Sequence, residues 1–246
     1  MKIKKNIESI APTLILDCYR KFKFKYGSRK PSVFYSQEGE DIVLKRILQN
    51  KECGFYIDIG AHHPYRYSNT YLLYKKGWRG MNVDASPLSI ELFEKARPND
   101  INLNFAVSEN LEKLNYYIFE DGAYNTLSSE MSVSYQQNLG VSLKSVKEVI
   151  TQRLDNIFNK YLPKSIVDID LMTIDVEGLD LGVLKSNNWE KYSPNILIVE
   201  EQWSSIENIL NGELYGFLVN KNYVLYSKLV NSLIFIKSDY LSTFNE

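Results

Sequence analysis

Short apolar runs of strand length alternate along this chain with segments of helical period. Phe55–Ile59 is one such run, ending in Asp58-Ile59-Gly60. Ser68–Lys76 has helix length and opens on the capping residues Ser68, Asn69 and Thr70, and Gly77 stops it. Met81–Val83 then begins a second strand that ends in Asp84. Upstream, Tyr35-Ser36-Gln37-Glu38-Gly39-Glu40-Asp41 leads into Ile42, Val43, Ile47 and Leu48, a polar start to an amphipathic helix with acids in its first turn. Downstream, Pro87 opens a helix to about Arg97, and Ile101–Val107 is a third strand. Gln152–Tyr161 is helical, Ile166–Ile174 is a buried strand running into Asp175-Val176-Glu177-Gly178, and a helix follows through Leu184. Asn195–Val199 is a further buried strand ending in Glu200-Glu201, Ile206–Val219 is a helix, and Tyr223–Ser227 pairs with Ser232–Ile236 as a hairpin.

Strands alternating with helices predict an α/β fold, a doubly wound and mostly parallel sheet with an antiparallel C-terminal strand. No internal repeat, low-complexity tract or linker interrupts it. Residues 108–150 depart from a plain crossover. Leu114–Phe119 and Val146–Ile150 are extended segments around a polar centre, an insertion long enough to serve as a lid or substrate platform. The organisation expected is a basic helical extension over 1–30 and one domain over 31–246.

In a parallel β-α-β unit the loop after the first strand lies at the carboxyl end of the sheet, where ligands meet backbone N–H groups. Asp84 falls 24 residues past Gly60, about where a ribose-binding carboxylate belongs. A dinucleotide fingerprint asks for three glycines, whereas Gly60 is followed by Ala61, His62, His63 and Pro64. Close backbone approach to a pyrophosphate is therefore disfavoured, and with it an NAD-dependent oxidoreductase. S-adenosylmethionine carries no phosphate and asks for an acid near its amino group, a backbone-lined loop and an acid for its ribose diol. Asp58, the Gly60-Ala61 loop and Asp84 answer that description.

Composition narrows the picture little. A hydrophobic content of 44% and a charge content of 24% suit an ordinary globular domain, and a net charge of −1 argues against general nucleic-acid binding. Cys18 and Cys53 fit neither a metal spacing nor a disulfide framework, so a reducing cytoplasm is expected. No apolar run approaches the roughly 20 residues that span a bilayer, and residues 1–30 lack a signal peptide's apolar region and cleavage site. Charge is nevertheless uneven. Residues 1–30 hold nine Lys or Arg against Glu8 and Asp17, and the remainder holds 20 bases against 28 acids. Ile3, Ile7, Ile10, Leu14 and Ile15 fall at helical spacing beside a basic flank from Lys21 to Lys30. Such a helix packs on the core, packs on a second subunit in a homodimer, or makes peripheral contact with anionic lipid or an acidic glycan.

Five motifs occur in order: Ser36-Gln37-x-Gly39-Glu40-Asp41, Asp58-Ile-Gly60-Ala61, Ser68-Asn69-Thr70, Gly77-Trp78-Arg79-Gly80 and Ile174-Asp175-Val176-Glu177-Gly178. Together they resemble the FkbM-type S-adenosylmethionine-dependent methyltransferases, over roughly residues 34–236. The resemblance implies the class I methyltransferase fold, a seven-stranded Rossmann-like sheet with its last strand antiparallel. It also implies O-methylation of a sugar hydroxyl, with a sugar, a nucleotide-linked sugar or a lipid-linked sugar as acceptor in capsule or lipopolysaccharide synthesis, or of a small-molecule natural product. By the same resemblance Asp58, Gly60 and Ala61 would hold the methionine end of the cofactor. Asn69, Thr70 and Gln37 would lie near its carboxylate, Asp84 would take the ribose hydroxyls, and Ala106, Val107 and Ser108 would flank the adenine. His62, His63 and Pro64 stand where many relatives carry an Asn and a second glycine, a departure in the path of this loop.

A sugar hydroxyl is a poor nucleophile at neutral pH, so a base or a metal should take up its proton's cost. Candidates at strand ends on the ligand side are His62, His63, Asp175, Glu177 and Glu200. Histidine is the natural base near pH 7, and buried carboxylates at a strand end need partners. Oxygen ligands of this kind suit Mg²⁺, although no spacing demands a metal. A binding module without catalysis is the alternative from another class; three acids together at strand ends speak against it. Tyr71-x-x-x-Lys75 has a dehydrogenase-like spacing but lies too early, on helix surface. Trp78, Trp189 and Trp203 are expected in the core or an interface, and Tyr65-Arg66-Tyr67 are candidates to line an acceptor pocket.

Overall fold

The computed structural model describes residues 13–22, 33–202 and 204–245. The chain divides into two compact units, Met1–Val33 and Phe34–Glu246. In the first, α1 spans Thr13–Phe22. The expected helical positions Ile3, Ile7 and Ile10, and Trp203 in the second unit, lie outside the described residues.

The second unit opens with α2, Glu40–Ile47. Its first turn is fastened by the buried Asp41 carboxylate, which accepts from Tyr35 N at 2.8 Å and Ser36 Oγ at 2.9 Å. The elements that follow are β1 (Phe55–Ile59), α3 (Tyr71–Lys75), β2 (Arg79–Asp84), α4 (Pro87–Ala96) and β3 (Ile101–Asn104). Next come β4 (Ala106–Val107), β5 (Lys113–Phe119), α5 (Ser129–Asn138), β6 (Leu143–Gln152) and α6 (Leu154–Tyr161). The chain continues with β7 (Leu171–Ile174), α7 (Asp180–Lys185), β8 (Ile196–Glu200), α8 (Ile206–Asn211) and α9 (Glu213–Val219). It closes with β9 (Tyr223–Lys228), β10 (Ser232–Lys237) and α10 (Ser238–Ser242).

Seven strands form one sheet in the order β3-β2-β1-β7-β8-β10-β9. The first five are parallel neighbours, and β10 runs antiparallel to both β8 and β9. Alternate residues of each strand point to opposite faces, and each face is covered. Ile57, Ile59, Met172, Ile174, Leu197 and Val199 pack with residues of α6, α7, α8 and α9. Tyr56, Leu171, Ile196, Ile198 and Ile234 pack with Leu44 and Leu48, Leu73 of α3 and Trp78. A sheet buried on both faces explains why its strands read as unbroken apolar runs.

Several elements differ from their sequence pattern for local reasons. The strand expected over Ile166–Ile174 pairs only from Leu171, where β1 lies alongside. Just before it, the Asp170 carboxylate takes the Phe55 amide at 3.0 Å, and Val167 is 90% exposed. The run Ile101–Val107 splits at Phe105, its last two residues joining a second sheet, β4-β6-β5. The helix expected over Ile206–Val219 breaks at Gly212, whose ψ of 156° is extended. Within the 108–150 insertion, α5 has no sequence precedent. Only Ser132 and Tyr135 of this polar segment are buried, so it carries almost no helical stripe, and its N-terminus is set by Ser128 accepting from Met131 N at 3.2 Å.

The sheet brings two loops into contact at its carboxyl end. Gly60 has φ +77°, and a Cβ there would fall 1.7 Å from the Asp175 carbonyl oxygen. Gly60→Ala is therefore expected to lower the stability measured by urea unfolding by about 2–4 kcal/mol, through strain and overpacking together. Gly216→Ala, within α9 and with no heavy atom within 4 Å of the added Cβ, should instead raise it by about 0.5–1 kcal/mol.

Candidate active site

A cleft of about 290 Å³ opens at the carboxyl ends of β1, β2, β7 and β8, roofed by the insertion. At its floor, Asp58 is buried at the end of β1 and accepts from Thr70 Oγ1 at 2.7 Å. Thr70 in turn accepts from Arg97 Nη1 at 2.8 Å. Burial pushes the Asp58 carboxyl up to about 6, against the opposing pull of the Thr70 hydrogen bond and the Arg97 charge. The chain then turns over the end of β2. Gly60 N and Ala61 N both donate to Val83 O, at 2.9 and 3.2 Å. Asp84 is held by two backbone amides, His62 N on Oδ2 at 2.8 Å and Ser86 N on Oδ1 at 2.7 Å. Its carboxyl is buried and shifted upward by desolvation.

The two histidines part company. His62 lines the cleft at φ +52°, and its buried Nε2 makes no hydrogen bond. Burial, and then the neighbouring Arg66 charge, lower its pKa to about 4, so the imidazole is neutral and weakly basic at pH 7. His63 does not line the cleft. Its Nδ1 accepts from Tyr65 N at 3.1 Å and Arg66 N at 3.0 Å, stapling the turn. Neither has the environment of a general base tuned to neutral pH.

Of the other residues singled out from sequence, Gln37, Asn69 and Val107 line the cleft, and Asn69 Nδ2 donates to Thr173 Oγ1 at 3.0 Å. Thr70 lies beneath it, completely buried. Ala106 and Ser108 lie behind it: Ser108 Oγ donates to Asn110 O at 2.8 Å and sits 2.9 Å from Thr151 Oγ1. Phe105 and Tyr116 are on the lining instead. Arg66 stacks over the Tyr67 ring at 4.5 Å and reaches Asp121 of the insertion at 2.8 Å. Tyr71 and Lys75 stay outside the cleft, Lys75 Nζ donating to Tyr35 OH at 2.8 Å, and Trp78 is wholly in the core.

At the other end of the cleft, Asp175, Glu177 and Glu200 each present a carboxylate oxygen within 4.8 Å of the others. Glu177 adopts φ +53° and Gly178 φ +99°. The insertion holds this turn: Thr126 Oγ1 donates to Glu177 O at 2.7 Å, and Tyr135 OH donates to Glu177 Oε2. Gln202 Nε2 donates to Glu177 Oε2 at 2.9 Å and Glu200 Oε1 at 3.1 Å. Asp180 closes the loop by accepting from Val176 N and Gly178 N, each at 3.2 Å. Burial first, and the charges of the neighbouring acids second, raise Glu177 to about 8 and Asp180 to about 7. Glu200 is raised furthest, by the same causes. So many carboxyls cannot all ionise together at neutral pH. Shared protons or an oxygen-liganded divalent cation would each relieve the charge. Tyr135, Tyr124 and Gln202, which complete this end, have no local sequence signal; they arrive by long-range packing.

Groups whose folded pKa is raised bind more protons folded than unfolded. The stability they contribute is whole at low pH and is lost as pH climbs from the ordinary carboxylate range through the folded values. The melting temperature is thus expected to fall between about pH 5 and about pH 8. Glu200→Gln should flatten that fall and melt about 3–6 °C higher than the parent at the alkaline end, as read by circular dichroism.

Residues 58–225 match the family profile of the methyltransferase FkbM domain. No curated protein matches the chain. The matched span contains the Asp58 loop, Asp84, the insertion and the three acids of the far end. With more than half of its length accounted for in this way, the chain belongs to the FkbM methyltransferase family.

Proposed function

We propose that this methyltransferase uses S-adenosylmethionine and transfers the methyl group to a sugar hydroxyl, of the kind found in surface polysaccharides. The observation that carries the reading is the charge of the cleft. Among the described lining residues, six carboxyl groups, Asp58, Asp84, Asp121, Asp175, Glu177 and Glu200, stand against one cation, Arg66, itself paired with Asp121, so the cleft stays acidic even with Glu200 protonated and Glu177 partly so. That field favours a ligand bearing an ammonium and a sulfonium and disfavours the pyrophosphate of a dinucleotide. The donor set fits: Asp58 for the amino group, Gln37 and Asn69 beside the Gly60-Ala61 turn for the carboxylate, and Asp84 for the ribose diol. When bound, the cofactor supplies a methyl group made electrophilic by its sulfonium.

The protein's own residues do the rest. Glu177 accepts the proton of the acceptor hydroxyl at Oε2, the oxygen that Tyr135 and Gln202 hold in place. A carboxylate raised to about 8 is a far stronger base than an ordinary one, at the cost of being ionised in only part of the molecules at pH 7. Glu200 keeps a proton and donates it within the cluster, so Asp175 and Glu177 can carry charge beside it. The rings of Tyr124 and Tyr135, edge to face at 5.1 Å, and the acids of this end suit the apolar faces and hydroxyls of a sugar ring.

Two outcomes are expected. In calorimetric titration the protein binds S-adenosylhomocysteine and not NAD, and Asp84→Ala weakens the binding about tenfold or more; heat with NAD alone would refute the cofactor assignment. With an acceptor found among sugar nucleotides, the transfer rate climbs about tenfold per pH unit below the Glu177 pKa and levels above it. Glu177→Gln should lower that rate by about 10²–10⁴ and abolish the climb.

A further inference from the structure

We propose that the N-terminal unit is a docking element for the surface of an anionic phospholipid bilayer. On α1, Ile15, Cys18, Tyr19 and Phe22 fall at i, i+3, i+4 and i+7, one face of a helix. All four are exposed, Ile15 at 59%, Tyr19 at 56% and Phe22 at 64%. Asp17 and Lys21 lie off that face. The sequence continues in the same vein as Phe22-Lys23-Phe24-Lys25-Tyr26, aromatic and basic residues in alternation. From Cys18 to Gln37 the chain holds Arg20, Lys21, Lys23, Lys25, Arg29 and Lys30 and no acid at all.

The partner is set by those two features together. An apolar stripe flanked by lysines lies in the plane of a bilayer interface, its side chains among the acyl chains and its charges at the headgroups. Aromatic rings are at home at that depth, and an anionic leaflet attracts each added base within a Debye length. The ten described residues of α1 cover only about 15 Å, the extent of an element that lies along a membrane surface. No described helix is long and apolar enough to span one. Nucleic acid would answer the charges but leave the aliphatic part of the stripe, Ile15, uncovered. The remainder of the chain, with 20 bases against 28 acids, is repelled by an anionic surface, which leaves residues 1–30 as the part that engages it.

The test is sedimentation of the full-length protein with vesicles of phosphatidylcholine alone and with about one-third phosphatidylglycerol, at about 0.1 M salt. Pelleting with the anionic vesicles only is expected. Ile15→Asp with Phe22→Asp should abolish it, and Lys21→Glu with Lys25→Glu, or about 0.5 M salt, should weaken it about tenfold or more. S-adenosylhomocysteine binding unchanged in every variant shows that the catalytic unit remains folded, so failure here is separable from failure of the cofactor assignment. Absence of pelleting overturns the proposal, as does equal pelleting with neutral lipid. Binding undiminished by the aspartate pair also overturns it, because charge alone would then suffice. A dimer that Ile15→Asp dissolves, or retention on RNA in place of vesicles, assigns the face to another occupant and likewise overturns it.

Discussion

The guanidinium of Arg97 is completely buried at the end of α4, and the ligand side of the sheet is tied to it. It donates to Thr70 Oγ1, Ser68 Oγ, Tyr56 OH and the Pro64 carbonyl. The rings of Phe93, Tyr71 and Tyr74 lie within 4.9 to 5.5 Å. Both Nη groups are thereby satisfied, while the buried Nε makes no hydrogen bond, and a buried cation also needs its charge answered. Here the answer comes through Thr70 from Asp58, and through Tyr56 from Asp100, which also takes the Gly80 amide. One residue after the fourth helix thus fixes the loop between β1 and α3 and sets the charge of the cleft floor.

The far end of the cleft follows a different logic. Burial raises the pKa of Asp175, Glu177, Glu200 and Asp180, and the charge of Asp175 raises the other three further. Nothing in the packing of a sheet needs such a group of acids, and a hydrophobic replacement would cost less to bury. The strained turn at Glu177 has the same character: a left-handed residue other than glycine persists only where its surroundings hold it. Thr126 and Tyr135 do so from the insertion. Residues 108–150 are therefore part of this end of the cleft, since they supply the hydroxyls that hold Glu177.

Much of this was legible in the chain. The first β-α-β unit, with Asp58, Gly60 and Asp84, follows from apolar runs, caps and glycines, all signals within a few residues of one another. Asp175, Glu177 and Glu200 could be found because the first two follow a buried strand and the third ends one. What resisted reading depends on distance. His62 has the pKa of a useful base in water, but burial and Arg66 remove that use. His63, Thr70 and Ser108 carry the right functional groups yet spend them on backbone and neighbouring side chains. Tyr135 sits in a polar segment whose helix has almost no apolar stripe, so only the finished fold reveals that it meets Glu177.

The single glycine of the β1 loop bears on the packing of the protein as well as on a ligand. With one glycine left in the loop, close approach of a pyrophosphate is disfavoured, and that argument concerns a ligand. In the folded protein Gly60 has a second role, as the point where the β1 loop touches the carbonyl of Asp175. The two loops are pressed together there, with no room for a side chain between them. The next position, Ala61, is buried and donates its amide to the Val83 carbonyl, and His62 follows with its amide on Asp84. These amides are directed at the protein's own oxygens, where a dinucleotide site would aim them at phosphate. The loop is thus built to hold Asp84 in place and to bring Asp58 and Asp175 to one acidic wall, which suits a cationic ligand better than an anionic one.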